Sequence, residues 1–214
     1  MTEILWINSS RPASAAIRRA VKVLDADGMV MYPTESSYAL GVNALSRIAL
    51  RRLFEAKARP LDKPVPVIVS DVKMWKKYAY FTRSAEALIM EFMPGPLTLA
   101  LKKRSSVPDI LNPNAIAARI PGHQVALALV SEANYPITST SANISGNAPA
   151  YSVRNVPAAL KKMIDLVLDV GKLTKREPST IVDFTVRPRI RVTREGAIPA
   201  SVILSVLTRR RGEK

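Results

Sequence analysis

The stretch Met29-Val30-Met31-Tyr32-Pro33-Thr34-Glu35-Ser36-Ser37-Tyr38-Ala39-Leu40-Gly41 decides the fold class. Met29 to Tyr32 is a short apolar run bounded by Gly28 and Pro33, the pattern of a strand buried on both faces. From Pro33 to Gly41 the chain is polar and hydroxyl-rich, so it leaves the strand end carrying donors and acceptors. Ligands in open α/β sheets sit at such strand ends.

Working outward, Ile17, Ala20, Val21 and Leu24 recur at helical spacing between Pro12 and Asp27, with Gly28 just beyond. On the other side, Ser46 suits an N-cap for a helix whose apolar side is Ile48, Leu50, Leu53 and Phe54, and this helix delivers Lys57 at its C-terminal end. Strands are predicted at Val65 to Val69, Leu97 to Leu101, Ile116 to Ile120, Ile137 to Thr140 and Leu166 to Val170. Thr180 to Phe184 and Ile190 to Thr193 should pair. Helices are predicted over Asp71 to Tyr78, from Thr82 through Met93, over Gln124 to Ala133, near Pro157 to Ile164, and after Pro199. Strands alternating with helices predict an α/β domain.

Bulk properties bound the function. The 214 residues are 48% hydrophobic, enough for a sizeable core, and show no internal repeat or low-complexity linker. A single domain over residues 1–208 is expected, with a basic, frayed tail at 209–214. Lys and Arg number 32 against 17 Asp and Glu, a net charge of +15 that calls for anionic partners. The absence of cysteine removes disulfides and thiolate metal sites, and a single histidine, His123, leaves no His cluster and no ready Ser-His-Asp triad. The N-terminus lacks a signal-peptide pattern and the apolar runs fall short of the ~20 residues that span a bilayer, so a cytoplasmic protein without membrane partner is expected.

The chemistry gathers in Lys57-Ala58-Arg59-Pro60-Leu61-Asp62-Lys63-Pro64-Val65-Pro66, where prolines stiffen a segment presenting three cations. No glycine-rich phosphate loop of the usual patterns occurs. The strand exits instead offer Thr34 and Glu35, Arg119, the run Thr138-Ser139-Thr140-Ser141-Ala142-Asn143, Ser179 with Thr180, and Arg194. Guanidinium and ammonium groups of this kind match a polyphosphate and a carboxylate. General bases are scarce, which favours reactions driven by positioning and charge neutralisation, as phosphoryl and nucleotidyl transfers are. Singly, each feature has an ordinary structural role: Thr34, Ser36 and Ser37 as caps, Glu35 and Asp183 as salt-bridge partners, His123 as a hydrogen-bonded residue at a helix start.

Jointly they form a series. Pro33-Thr34-Glu35-x-x-Tyr38-x-Leu40-Gly41, Lys57-x-Arg59-Pro60, Pro94-Gly95-Pro96-Leu97-Thr98, Arg119-x-Pro121, Thr140-Ser141-Ala142-Asn143-x-Ser145-Gly146, Ser179-Thr180-Ile181-Val182-Asp183 and Arg194-x-Gly196-Ala197-Ile198 resemble, in order, the motifs of the YrdC family of L-threonylcarbamoyl-AMP synthases. The resemblance implies a twisted open mixed sheet with flanking helices and a concave basic face. It also implies ATP with Mg²⁺ carried on the nucleotide and no protein metal site, L-threonine and bicarbonate as substrates, and pyrophosphate and threonylcarbamoyl-AMP as products. The product serves t6A formation at tRNA position 37, so tRNA or double-stranded RNA on the basic face and a downstream t6A transfer machinery are implied partners.

Carried over by motif, Lys57 and Arg59 are the catalytic pair, holding phosphate and the bicarbonate-derived group with Lys63 assisting. Ser141, Asn143 and Arg194 contact the nucleotide, while Thr34, Arg119, Ser139 and Ser179 shape the threonine pocket. Ser36, Ser37 and Ala39 depart from the commoner Thr-Val and Gly and resemble the YciO branch. The second domain and linker of longer relatives are expected to be absent. Two other readings are a non-catalytic RNA-binding protein of the same fold and a carbamoyladenylate-forming relative like the domain inside HypF.

Overall fold

A computed structural model describes residues 2–186 and 190–209. The predicted α/β alternation is present, and the strands are divided between two sheets rather than held in one. Among the described residues each strand is two to six residues long.

The first sheet has the order β1-β9-β2-β3-β8 and the second β11-β10-β5-β6-β4-β7. In the first, β1 (Glu3–Trp6), β9 (Leu166–Asp169) and β2 (Val30–Pro33) run parallel, and β3 (Tyr38–Gly41) and β8 (Thr140–Ser141) follow antiparallel. Strand β2 is buried along its whole length, as its apolar run predicts, and β3 is buried to the same extent. In the second, β10 (Thr180–Asp183) lies parallel to β5 (Leu97–Lys102) and antiparallel to β11 (Arg191–Arg194). Strand β6 (Ala115–Arg119) runs antiparallel to β5 and parallel to β4 (Val67–Ile68), which pairs with β7 (Ile137–Thr138).

Several helices start where their caps dictate. Ser46, Asp71 and Thr82 accept the backbone N–H three residues on, opening α2 (Arg47–Ala56), α3 (Val72–Lys76) and α4 (Arg83–Phe92). Helix α5 spans Gln124–Ala133, closed by Asn134 in the left-handed conformation at φ 57°. Helix α1 (Ser14–Asp25) packs on α5 and α7 (Ala200–Arg209) on α4, while α6 (Ala158–Met163) precedes β9. Helix α7 reaches Arg209, the last described residue, and 210–214 of the expected tail lie outside the described residues.

Three expectations are corrected. Tyr38 to Gly41 is not an outgoing loop but the second arm of a hairpin with β2, closed by Thr34 Oγ1 donating to the Ser37 carbonyl at 2.7 Å. Ile48 is 68% exposed, and Ala49 takes the core-facing place beside Leu50, Leu53 and Phe54. The single strand predicted at Ile137 to Thr140 is two short ones in different sheets.

The chain passes between the sheets three times: from β3 through α2 to β4, from β7 to β8, and from β9 to β10. The second passage is a single residue, Ser139, whose N–H donates to the Pro66 carbonyl at 2.8 Å. The third is an extended strap over 171–179 without regular structure. Among the described residues no helix is long and apolar enough to cross a membrane.

Candidate functional site

The three passages converge on one cavity of about 380 Å³, a size ordinary for small-molecule sites. Arg59 and Pro66 come from the first passage, Ser139 from the second, Arg176 and Pro178 from the third. The hairpin turn adds Thr34, Ser36 and Ser37; the strand ends add Thr98, Arg119, Ser141, Ser179 and Arg194. Ten polar or charged residues are buried among the described residues, and six of them, Thr34, Ser37, Thr98, Arg119, Thr140 and Ser179, line this space. Polar groups are buried here because they face a shared opening rather than the apolar core.

The electrostatics are one-sided. Among the described residues Arg59, Arg119, Arg176 and Arg194 line the cavity and no carboxylate does. Arg119 is 7% exposed and has Glu35 behind it, Oε2 standing 3.5 Å from its Nη2. Glu35 is itself anchored, Oε1 accepting from the Gly122 N–H at 2.6 Å, while Oε2 has no hydrogen-bond partner among the described residues. Arg194 Nε and Nη2 donate to the Ser179 carbonyl at 2.9 and 2.7 Å, and Nη2 also donates to Ser179 Oγ at 2.9 Å. Ser179 Oγ shares a further hydrogen bond of 2.8 Å with Thr98 Oγ1. Burial, and then the charge of Arg119, pulls the Arg194 guanidinium below its ordinary range, and burial does the same to Arg59. Both remain cations at neutral pH. Convergent guanidiniums repel one another, and an anion between them relieves that cost.

Close backbone approach builds the Arg194 side. Thr180 Oγ1 donates to the Ile198 carbonyl at 2.6 Å and accepts from Gly196 and Ile198 N–H, each at 3.0 Å. A Cβ at Gly196 would collide with the Pro178 carbonyl, so only glycine lets the 194–198 segment lie this near Ser179.

The segment quoted for its cations behaves unevenly. Arg59 reaches the cavity, with Nε and Nη2 donating to the Lys63 and Pro64 carbonyls at 3.1 and 2.7 Å, so it folds back along its own loop. Lys63 is exposed and does not line the cavity. Lys57 is 1% exposed and also lies outside the lining. Its Nζ donates to the Ser141 carbonyl at 2.5 Å, the Asn143 carbonyl at 2.7 Å and Asn143 Oδ1 at 3.0 Å. Asn143 accepts in addition from Ser141 Oγ at 2.6 Å and donates to the Asn147 carbonyl, so its amide is fully engaged beneath the cavity wall. Burial, and then the Arg59 charge, pushes the Lys57 ammonium down from 10.5 to about 7.

The sequence-derived residues Thr34, Arg59, Arg119, Ser139, Ser141, Ser179 and Arg194 are therefore together in one space, while Lys57, Lys63 and Asn143 are not on its surface. Arg176 and Tyr151 line it without any sequence motif to mark them. Arg176 sits in the 171–179 strap, and only its cation beside Lys172 and Lys175 could have drawn notice. His123 is the N-cap of α5, its Nδ1 accepting from Val125 N–H at 3.2 Å.

A model of the Sua5/YciO/YrdC family, described as telomere recombination, matches residues 22–196. The chain belongs to the Sua5/YciO/YrdC family. Among family members, a Methanocaldococcus jannaschii protein named putative threonylcarbamoyl-AMP synthase is 37% identical over 171 residues, 80% of this chain and 81% of that one. The solved structure of Pyrococcus abyssi Sua5 complexed with L-threonine superposes with a TM-score of 0.89 at 34% identity, over 96% of this chain and 61% of that one. The Escherichia coli YciO structure gives a TM-score of 0.85 at 27% identity, over 95% of this chain and all of that one. The chain thus spans less than two thirds of the Sua5 protein it matches and the whole length of YciO. As a Sua5/YciO/YrdC domain it has the predicted α/β architecture, with the cavity at the seam between its two sheets.

Proposed function

We propose that the protein is a threonylcarbamoyl-AMP synthase, a nucleotidyltransferase that joins L-threonine, bicarbonate and ATP. The observation that carries this reading is a cavity lined, among the described residues, by four arginines and several hydroxyls with no carboxylate, in a chain 96% of which matches a threonine-complexed relative. Threonine carries a carboxylate, its N-carboxylated form a second one, and ATP a triphosphate; all need fixed donors.

Arg119, deep in the cavity and held from behind by Glu35, takes the threonine carboxylate, with Thr34, Ser139 and Ser179 around the amino acid. Arg59, Arg194 and Ser141 face the nucleotide. Threonine and bicarbonate condense to the N-carboxylated amino acid with loss of water. A carboxylate oxygen then attacks the α-phosphorus, a P–O bond forms, the bond to the bridging oxygen of the β-phosphate breaks, and pyrophosphate leaves with that electron pair. No protein nucleophile is required, and the cations stabilise the charge that builds at phosphorus.

Lys57 and Asn143 act differently from Arg59 in this proposal. The lysine is tied to three oxygens of the Ser141–Asn143 segment and braces the wall that presents Ser141. Mg²⁺ arrives with the nucleotide and is held by its phosphates; among the described residues no three His, Cys, Asp or Glu side chains converge to hold a metal. The product is consumed by a t6A transfer machinery acting on tRNA, and the cytoplasm is the proposed compartment.

The test is pyrophosphate release from ATP and Mg²⁺. Release that depends on both threonine and bicarbonate supports the reading. Release without threonine, or none under any condition, overturns it in favour of another carboxylated substrate or of a binding function.

A further inference from the structure

At the end of the second sheet remote from the cavity, residues 78–80 lie against 102–104. Tyr80 N–H donates to the Lys102 carbonyl at 2.9 Å, Arg104 N–H donates to the Tyr78 carbonyl at 2.8 Å, and Ala79 bridges Lys103. Thr98 of β5 lines the cavity and Lys102 ends the same strand, so at ~3.3 Å per residue the two sites are separated by roughly 13 Å of strand.

This ladder assembles a platform. Tyr80 is 51% exposed, and the Arg104 guanidinium carbon stands 4.4 Å from its ring centroid with Lys102 Nζ at 5.9 Å. Arg104 is held rather than free: its Nε donates to the Lys76 carbonyl at 3.1 Å, and its terminal nitrogens have no hydrogen-bond partner among the described residues. Lys77, Lys102 and Arg104 are exposed, the last two against the Tyr80 ring and Lys77 three residues before it in the chain, while Lys76 Nζ lies 5.6 Å from the Phe81 ring centroid. The carboxylates nearby are largely committed: Glu86 pairs with Lys76 at 2.7 Å, Asp109 with the part-buried Lys103 at 2.7 Å, and Asp71 caps α3 through the Met74 N–H. Lys77, Lys102 and Arg104 have no carboxylate within 4.0 Å among the described residues.

A merely solvated basic face has mobile lysines and no reason to fix a guanidinium beside an exposed ring. Cations flanking an exposed, cation-stacked aromatic are what an unpaired nucleic-acid strand requires, since bases stack on aromatic and guanidinium planes while phosphates pair with the cations. Duplex or another polyanion would use the cations and leave the ring without purpose.

We propose that Tyr80, Arg104, Lys102 and Lys77 form a docking platform for an unpaired nucleic-acid strand, separate from the cavity. A base stacks on the Tyr80–Arg104 pair and the flanking phosphates lie on Lys102 and Lys77. The platform stands independently of the synthase reading, because it needs neither ATP nor threonine.

The test uses the full chain and a fluorescein-labelled unpaired RNA of about 12 nucleotides, near the site size of such surfaces, with anisotropy as the readout and no ATP or threonine present. A duplex RNA, heparin and phosphatidylserine vesicles serve as comparison ligands. Tyr80→Ala and Arg104→Lys should each weaken unpaired RNA by about tenfold while changing duplex and heparin by less than about twofold, because stacking is lost and charge is kept. Tyr80→Phe should bind as the parent does, which separates loss of the ring from loss of the fold. Lys77→Gln with Lys102→Gln should lower the salt slope by about 1.4, the release expected for two phosphate contacts on a single strand. Unchanged RNA affinity in Tyr80→Ala and Arg104→Lys overturns the proposal. Equal loss on RNA, duplex and heparin overturns it in favour of a general polyanion surface, and a loss greatest on vesicles overturns it in favour of a membrane contact. Pyrophosphate release should be the same in all these variants, so failure of the synthase reading and failure of the platform register in different assays.

Discussion

Lys57 and Asn143 are in direct contact, the lysine Nζ 2.7 Å from the asparagine carbonyl oxygen and 3.0 Å from its Oδ1. The Lys57 carbonyl in turn accepts from Ser145 N–H at 2.9 Å, so the end of α2 and the 141–145 wall are fastened at two points. A buried amine that serves three acceptors is structural as well as electrostatic. Lys57→Met leaves buried acceptors without their donor and should therefore lower stability by about 1–3 kcal/mol, the range for unsatisfied buried polar groups, and should abolish pyrophosphate release. Chemical denaturation and the release assay check the two effects separately.

The same lysine makes stability depend on pH. Its folded value of about 7 lies below its ordinary 10.5, so between these values the unfolded chain holds a proton that the folded chain does not. Stability from this group then rises as pH increases from about 7 towards 10.5 and is flat below 7. The melting temperature of the parent minus that of Lys57→Met should increase across pH ~7 to ~9.5. A difference that stays constant or shrinks contradicts the burial argument.

Arg119 faces the cavity with a carboxylate behind it. Arg119→Ala removes the proposed threonine anchor and leaves Glu35 buried without its cation, so threonine affinity should fall about 10- to 100-fold with a stability loss of a few kcal/mol. Glu35→Gln separates the two, because it keeps Arg119 and the Gly122 hydrogen-bond acceptor. Calorimetric titration with threonine should show a smaller loss in Glu35→Gln than in Arg119→Ala.

Ser179 ties Arg194 to Thr98 through one hydroxyl. In Ser179→Ala the carbonyl contacts to Arg194 persist and only the Oγ bonds are lost. A stability loss of about 1–2 kcal/mol is expected, with a larger rise in KM than fall in kcat, since the guanidinium stays in place but loses its fixed orientation.

Much of this was legible in the chain, for local reasons. Ser46, Asp71 and Thr82 announce helix starts by side-chain capping, and Gln124 to Ala133 is bounded by His123 and Asn134, so these elements are encoded within a few residues. Strands β1 and β3 are not legible that way, because four residues carry too little alternation to read and their pairing supplies what periodicity does not. The partner of β1 is β9, more than 160 residues on in sequence. The residues that line the cavity were legible by type and order, since Thr34, Arg119, Ser139 and Ser179 stand at strand ends. The assignment of Lys57 and Asn143 to the ligand surface was not decidable that way. Which side chains face the cavity and which brace it is set by three passages between two sheets, and no local pattern records them. Arg176 shows the converse, a cation in a featureless strap brought into the cavity solely by the third passage.

The 58–59 turn offers a test of local strain. Ala58 sits at φ 45°, in the left-handed region, where Arg59 N–H reaches back to the Phe54 carbonyl at 2.9 Å. Glycine is free of the Cβ penalty there, so Ala58→Gly should stabilise the chain by about 0.5–1 kcal/mol and raise the melting temperature. A fall in melting temperature would show that the turn relaxes without help.

The reaction proposed for the arginine-lined seam between the sheets joins threonine, bicarbonate and ATP. It is tested most directly by incubating the protein with ATP, Mg²⁺, L-threonine and ¹³C-bicarbonate and weighing the nucleotide product by mass spectrometry. Threonylcarbamoyl-AMP heavier by one labelled carbon is expected, lost in Arg59→Ala and Arg119→Ala and retained in Tyr80→Phe. An unlabelled product, or a labelled one formed equally by the Arg59 and Arg119 variants, would contradict it.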